Sequence, residues 1–169
     1  MARGGVDSLP DPPGAPRTRR HVSLFGFQWV GVAVLAAFPV LALLGVFGER
    51  WATVESTGGP LHVNVRYPTV FRYKMLNAID LDVRNTGTAV IDTITVALDT
   101  VYASRFSTIT AVPPFSGPYE VELPAVQPRE TRRVRIEIQA ERYWVHAGTL
   151  TVATRTDTVR VPLRTTIYP

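Results

Sequence analysis

Apolar and polar residues alternate with a period of two through most of the chain that follows Trp51. Strict alternation is typical of strands that pack one face on a core and expose the other face to water. Turn-forming residues such as Asn85-Thr86-Gly87 and Pro113-Pro114 separate the runs. We therefore expect residues 61–169 to form an all-β domain, an antiparallel sandwich of about seven strands. The apolar positions of the seven runs are Val63, Val65, Tyr67; Ile79, Leu81, Val83; Ile94, Val96, Leu98; Val121, Leu123; Val134, Ile136, Ile138; Leu150, Val152; and Val159, Val161, Leu163.

A different pattern precedes the strands, because residues 22–48 contain no charged side chain. The densest apolar part, residues 29–47, would be about 28 Å long as a helix, close to the ~30 Å hydrocarbon thickness of a bilayer. Trp29 and Trp51 flank it at positions that suit the two membrane–water boundaries, and spanning helices tolerate a proline such as Pro39. The run is too long for a cleaved signal peptide. We predict a retained transmembrane helix over residues 22–48; the alternative is a buried core helix.

Charge sets the expected orientation of this helix. Arginines outnumber acidic residues before the apolar run, whereas the two signs balance just after it. The positive-inside bias then places a flexible Pro/Gly-rich tail, residues 1–21, in the cytoplasm. Residues 49–60 would be a linker, and the β-domain would be periplasmic on a single-pass protein of the bacterial inner membrane. The arginines nearest the helix are Arg17, Arg19 and Arg20.

Part of the β-domain resembles a known family. The segment from Leu81 to Leu98 reads as strand, Asn-Thr-Gly turn, strand, and it resembles the hairpin of bacterial immunoglobulin-like domains of the CARDB type. The segments 123–134 and 147–152 are similar to the later strands of those domains, although Pro128-Arg129-Glu130 replaces the usual Pro-Gly-Glu turn. The resemblance covers residues 60–165 and implies an immunoglobulin-like sandwich. It implies little about function, because such sandwiches serve as adhesion modules, spacers and assembly subunits alike.

Composition excludes several kinds of chemistry. The chain has no Cys, so thiolate metal sites, iron–sulfur clusters and Cys nucleophiles are ruled out. The β-domain is nearly charge-balanced, which argues against a nucleic-acid surface. Three scattered His lack metal-ligand spacing. Asp80 and Asp82 share one strand face, where calcium is one interpretation and a solvated face the other. We expect no cofactor, no metal and no enzymatic activity.

Aromatic residues form the candidate interface. One group interleaves with Arg66, Arg72 and Lys74, a second brackets the irregular stretch 104–118, and a third lies between two strands. Aromatic and Arg side chains in loops often anchor interfaces, although covering edges or filling the core is an equal alternative. The three groups are Tyr67, Phe71, Tyr73; Tyr102, Phe106, Phe115, Tyr119; and Tyr143, Trp144.

The apolar segment offers a second contact surface. Ala33 and Ala37 form a small-xxx-small pair on the same side as Ala36, which would allow another helix to approach closely. Because every one of these features supplies contacts, we predict a non-catalytic accessory subunit whose partners are integral membrane proteins and membrane lipid. A weaker likeness suggests a reaction centre–antenna assembly of a phototrophic bacterium. The alternative is a membrane-tethered module that binds carbohydrate, peptide or a cell surface.

Overall fold

The computed structural model describes residues 24–43, 45 and 48–169, with side chains from Trp29 onward. The chain divides into two compact units, with the boundary between residues 46 and 47. The described elements are α1 (Leu24–Leu43), β1 (Arg50–Gly58), β2 (Leu61–Arg72), β3 (Leu76–Asn85), β4 (Ile94–Leu98), α2 (Thr100–Ala103), β5 (Phe106–Val112), β6 (Glu120–Leu123), β7 (Thr131–Ala140), β8 (Trp144–Ala153) and β9 (Thr158–Tyr168).

The helix α1 carries the central part of the predicted span. It is 20 residues long and contains Pro39. Within the part of the chain that the structure describes, no helix combines the length and apolarity needed to cross a bilayer. The predicted span starts and ends beyond α1, and its residues 22, 23, 44, 46 and 47 lie outside the described residues. So do the predicted tail, residues 1–21, and the topology arginines Arg17, Arg19 and Arg20.

The β-domain is a sandwich made from one sheet that folds on itself. The strand order is β5-β7-β3-β2-β9-β8-β4-β6, and β1 pairs with β2 outside this path. All pairings are antiparallel except the one between β2 and β9. Every apolar position of the seven predicted runs is buried in a single core, which confirms those runs as strands.

Two strands were missed, so the described domain has nine strands rather than about seven. Residues 49–60, predicted as a linker, contain β1, which pairs with β2 from Gly58↔Leu61 to Arg50↔Val70. The stretch 104–118, predicted as irregular, contains β5. Both strands pair with a single neighbour and turn mostly small or partly buried residues toward the core, so the apolar alternation is weak in them.

Strand β2 joins the two layers because it changes partner along its length. Its residues 61–66 pair with β3, whereas residues 70–72 pair in parallel with β9. Pro68 lies between the two pairings. Because proline has no backbone N–H to donate to a ladder, it is suited to the point where one pairing ends and the next begins.

A buried tyrosine stabilises this change of partner. Tyr102 in α2 is fully buried, and its hydroxyl lies 2.7 Å from Oγ1 of Thr165 in β9. The Thr165 hydroxyl donates to the carbonyl oxygen of Pro68 at 3.0 Å. Since that hydroxyl has one proton, the Tyr102 hydroxyl must be the donor in the first bond. We call these two consecutive hydrogen bonds the relay, and they connect α2, β9 and β2 inside the core.

The backbone around Tyr102 is arranged to admit its ring. Asp99 caps α2, because Oδ1 accepts from the backbone N–H groups of Val101 at 2.7 Å and Tyr102 at 3.1 Å. Gly148 in β8 lies directly against the ring, and a Cβ at that position would overlap Tyr102. Phe106 packs edge-on to the ring with centroids 5.0 Å apart. Sequence alternation did not predict this short helix.

The Tyr102 hydroxyl should make stability depend on alkaline pH. Burial raises the pKa of Tyr102 from 10.0 to about 12. A raised pKa in the folded state favours the neutral phenol, so its contribution is complete below pH 10 and is lost as the pH rises toward 12. The wild type should lose up to about 3 kcal/mol of unfolding free energy through this group.

The variant Tyr102→Phe has no phenol and should lose less stability over that pH range, although it starts about 1 kcal/mol lower because one hydrogen bond is absent. Denaturant unfolding in detergent at a series of pH values measures both proteins. A difference in unfolding free energy that stays constant from neutral pH to pH 12 would contradict this assignment.

Candidate interaction surfaces

Four of the nine predicted interface aromatics lie in the core. Tyr67, Phe71, Tyr102 and Phe106 are at most 6% exposed. They are not accessible to a partner, which corrects the interface prediction for these residues and agrees with the alternative that they fill the sandwich. Phe115 and Tyr119 pack edge-on with centroids 6.1 Å apart and lie partly buried against the core.

The remaining aromatics meet at one end of the sandwich. Tyr73 lies in the turn between β2 and β3, and Tyr143 lies in the segment between β7 and β8. Their rings contact each other with centroids 4.5 Å apart. We call this region the aromatic end; it comprises Arg72, Tyr73, Lys74, Met75, Leu76, Arg142, Tyr143, Trp144 and Tyr168.

Backbone hydrogen bonds fix three chain segments to one another at the aromatic end. The N–H of Tyr73 donates to the carbonyl of Tyr168 at 2.9 Å, and the N–H of Lys74 donates to the carbonyl of Ala140 at 3.0 Å. The side chain of Gln139 donates to the carbonyl of Lys74 at 3.0 Å. The β2–β3 turn is therefore hydrogen-bonded to both β7 and β9. Tyr73 packs partly buried against the core, whereas Tyr143 and Trp144 are exposed.

Cations at the aromatic end lie beside the rings. Nζ of Lys74 is 5.5 Å from the ring centroid of Tyr73, and Cζ of Arg72 is 5.8 Å from that of Tyr168. Such contacts contribute roughly 0.5–1 kcal/mol at exposed sites. Trp51 on β1 has the same kind of neighbour, since Cζ of Arg66 lies 5.0 Å from its ring.

Two residues of the aromatic end hold a backbone conformation that normally favours glycine. Lys74 has φ of 60° and Trp144 has φ of 82°. Trp144 pairs with Ile167, which is 1% exposed, and in a regular ladder the two side chains would share a face. Instead the indole is 80% exposed. Positive φ also occurs elsewhere in the described domain, at Tyr119 and Arg129, so it does not by itself mark this surface.

The outer face formed by β1, β2, β3 and β7 carries paired charges. Nε of Arg133 lies 2.8 Å from Oδ1 of Asp82, and Nη1 of Arg135 lies 3.4 Å from Oδ1 of Asp80. The hydrogen bond that Arg133 donates to Asp82 raises the pKa of the Arg133 guanidinium. Exposed pairs of this kind contribute little to stability, and they support the solvated-face interpretation of the two aspartates.

Metal-ligating groups are not gathered anywhere in the described part of the chain, where no three His, Asp or Glu side chains could hold an ion together. His62 and His146 are far apart on β2 and β8, and His21 lies outside the described residues.

A groove of about 430 Å³ lies at the opposite end of the sandwich from the aromatic end. The buried Asn85 shapes it: Nδ2 donates to the carbonyls of Ala89 at 2.8 Å and Val126 at 3.0 Å, and Oδ1 accepts from the N–H of Gly87 at 2.9 Å. The Asn-Thr-Gly turn found in the sequence is thus one wall of this groove. Its lining residues are Pro60, the segment 87–93 and the segment 154–156.

The predicted helix-packing residues lie on α1. Side chains of Ala33, Ala36 and Ala37 are exposed within the described residues, as is Trp29. Alternation along β2 already places Tyr67 on the core face, in series with Val63 and Val65, and this conflicts with its prediction as an interface residue. Four residues of the aromatic end were not predicted as surface contacts, because each lies at or next to the end of a strand, where no periodic pattern exists. They are Met75, Leu76, Arg142 and Tyr168.

No protein family matches the chain, and no curated protein matches it. A β-glucosidase from Listeria innocua solved with gluconolactone is 11% identical with a TM-score of 0.33, covering 72% of this chain and 16% of the enzyme. A mutant of the same enzyme with laminaribiose is 12% identical with a TM-score of 0.33, again over 72% and 16%. The chain therefore spans less than a fifth of those structures, and likeness at this level indicates nothing about activity.

The variant Trp144→Gly should leave the fold intact, because the indole is exposed and glycine adopts positive φ without strain. We expect an unfolding free energy within about 1 kcal/mol of the wild type, whereas Phe71→Ala in the core should lose about 3–5 kcal/mol. Thermal or denaturant unfolding provides the measurement. A loss for Trp144→Gly as large as for Phe71→Ala would show that the indole is a structural residue.

Proposed function

We propose that this protein is a non-catalytic accessory subunit of a bacterial membrane complex. In this proposal the segment 22–48 crosses the inner membrane, and an immunoglobulin-like sandwich braces partner proteins on the periplasmic side. The observation that carries the proposal is the small-residue side of α1, where Ala33, Ala36 and Ala37 are exposed and would let another spanning helix approach closely. Such a surface is suited to contact rather than to chemistry.

The tether is supported by the sequence on both sides of α1. The uncharged segment continues past both ends of that helix, and Trp29 and Trp51 flank its densest part. The excess of arginine before it, at Arg17, Arg19 and Arg20, supports a cytoplasmic N-terminus.

The immunoglobulin-like assignment is supported by the connection between layers. Strand β2 pairs first with β3 and then in parallel with β9, so one early strand contributes to both layers of the sandwich. The Asn-Thr-Gly hairpin agrees with the family resemblance, and Asn85 is buried with its side chain fully engaged. The narrower suggestion of a reaction centre–antenna complex stays a prediction from sequence.

Purification tests the accessory-subunit proposal. In mild detergent the wild type should bring down integral membrane partners in fixed stoichiometry. Ala33→Leu combined with Ala37→Leu should reduce that recovery severalfold, because the added bulk prevents close approach of a neighbouring helix. Leu35→Ile lies on the opposite side of the helix and should behave as wild type. A wild-type chain that sediments alone as a monomer would refute the proposal.

The groove supports a second candidate function, a tethered module that binds carbohydrate or peptide. Threonine hydroxyls and backbone groups line it at the loop end of the sandwich, where such domains commonly bind ligands. If this is the function, the wild type and Thr158→Trp should retain a ligand on a glycan or peptide array. Thr88→Trp, which fills the groove, should not. An array on which the wild type binds nothing excludes this candidate.

A further inference from the structure

We propose that the aromatic end rests on the surface of the lipid bilayer, with its rings at headgroup level and its cations on anionic lipid. The proposal depends on the tether of the preceding section, and it names the bilayer as the partner of this surface.

The side chains of the aromatic end have the composition of a membrane interface. Tyr and Trp rings are apolar bodies with a polar group, which is why they are enriched at the boundary between hydrocarbon and water. Trp144 is 80% exposed and Leu76 is 58% exposed, so apolar area is presented to the surroundings. Met75 and Tyr143 are each 41% exposed beside them.

Charge at this end complements an anionic surface. Cations outnumber carboxylates at and next to the aromatic end. The cations are Arg50, Arg72, Lys74 and Arg142, and the carboxylates are those of Glu49 and Glu141. Two of the cations lie directly beside tyrosine rings, as described above. Long basic side chains with their stems along apolar surface and their charged groups in the headgroup layer are typical of proteins at membranes.

Chain continuity brings this end to the membrane. Gly48 and Glu49, which immediately precede β1, line a shallow depression together with Arg72, Met75 and Tyr168. The first described residues of the β-domain therefore lie at the aromatic end and not at the groove. A surface linked so closely to a membrane segment is at high effective concentration near the bilayer, so even weak individual contacts with lipid are populated.

The geometry is preorganised for a flat partner. The β2–β3 turn is bonded to both β7 and β9, so little conformational freedom remains to be lost on contact. Lys74 and Trp144 both have positive φ and belong to the surface that we assign to the bilayer, and the same backbone feature occurs elsewhere in the described domain at Tyr119 and Arg129.

Single-cysteine labelling of the full chain tests this assignment, because the chain contains no native Cys. Met75→Cys places a polarity-sensitive fluorophore at the aromatic end. Val90→Cys is the matched control, since it is 45% exposed and lies beside the groove. Each labelled protein is reconstituted into vesicles of phosphatidylcholine alone, or of phosphatidylcholine and phosphatidylglycerol in equal amounts, with a brominated lipid as quencher.

We expect the label at position 75 to shift to shorter wavelength and to be quenched by brominated lipid, whereas the label at position 90 remains in water. Quenching at position 75 should be roughly twofold stronger with phosphatidylglycerol and should weaken at high salt. Adding Tyr143→Ser and Trp144→Ser to the Met75→Cys protein should reduce the quenching, and unchanged unfolding would show that the loss comes from the surface.

Three other results would contradict the contact with lipid, and they show whether the membrane tether fails with it. A chain that stays in the membrane after alkaline carbonate, with position 75 in water in both kinds of vesicle, overturns the inference and leaves the tether standing. Release of the chain by carbonate overturns both. Shielding of position 75 in native membranes but not in pure lipid assigns the surface to a protein partner and also overturns the inference.

Discussion

The junction between the two layers of the β-domain is held by one hydrogen-bonded relay, from the hydroxyl of Tyr102 through Thr165 to the carbonyl of Pro68. This relay lies where β2 leaves β3 and joins β9, the point at which one sheet becomes two layers. A buried carbonyl without a partner would be costly at a strand junction, and here a threonine hydroxyl satisfies it. Gly148 provides the space without which the ring of Tyr102 could not reach that position.

The change of partner also produces the two ends of the domain. Because the last residues of β2 pair with β9, the turn that follows β2 lies beside Tyr168 and is bonded to it. Arg72, Tyr73 and Lys74 are thereby brought next to residues from distant parts of the chain. At the other end, Asn85 holds the β3–β4 loop and closes the side of the groove.

Much of the fold could be predicted because burial imposes a period of two on strands that face a core. The same argument fails for β1 and β5, whose inward positions carry small or partly buried residues such as Ala52, Ser56 and Ala111. It fails for Trp144 as well, since positive φ interrupts the alternation that would turn the indole inward. Aromatic composition alone could not separate Phe71 in the core from Tyr143 at the surface. The aromatic end comes from turns that are distant in sequence and close only after folding.

The position of β1 has a mechanical consequence. Its antiparallel pairing with β2 extends over its whole length, and its first residue, Arg50, stands at the aromatic end. Hydrogen bonds in a sheet run perpendicular to the strands. A force that pulls on Arg50 along the strand axis would therefore load all the β1–β2 bonds in shear at once instead of opening them one after another. Strand β1 is thus a stiff attachment, in which tension on Arg50 is shared by every hydrogen bond of the β1–β2 ladder.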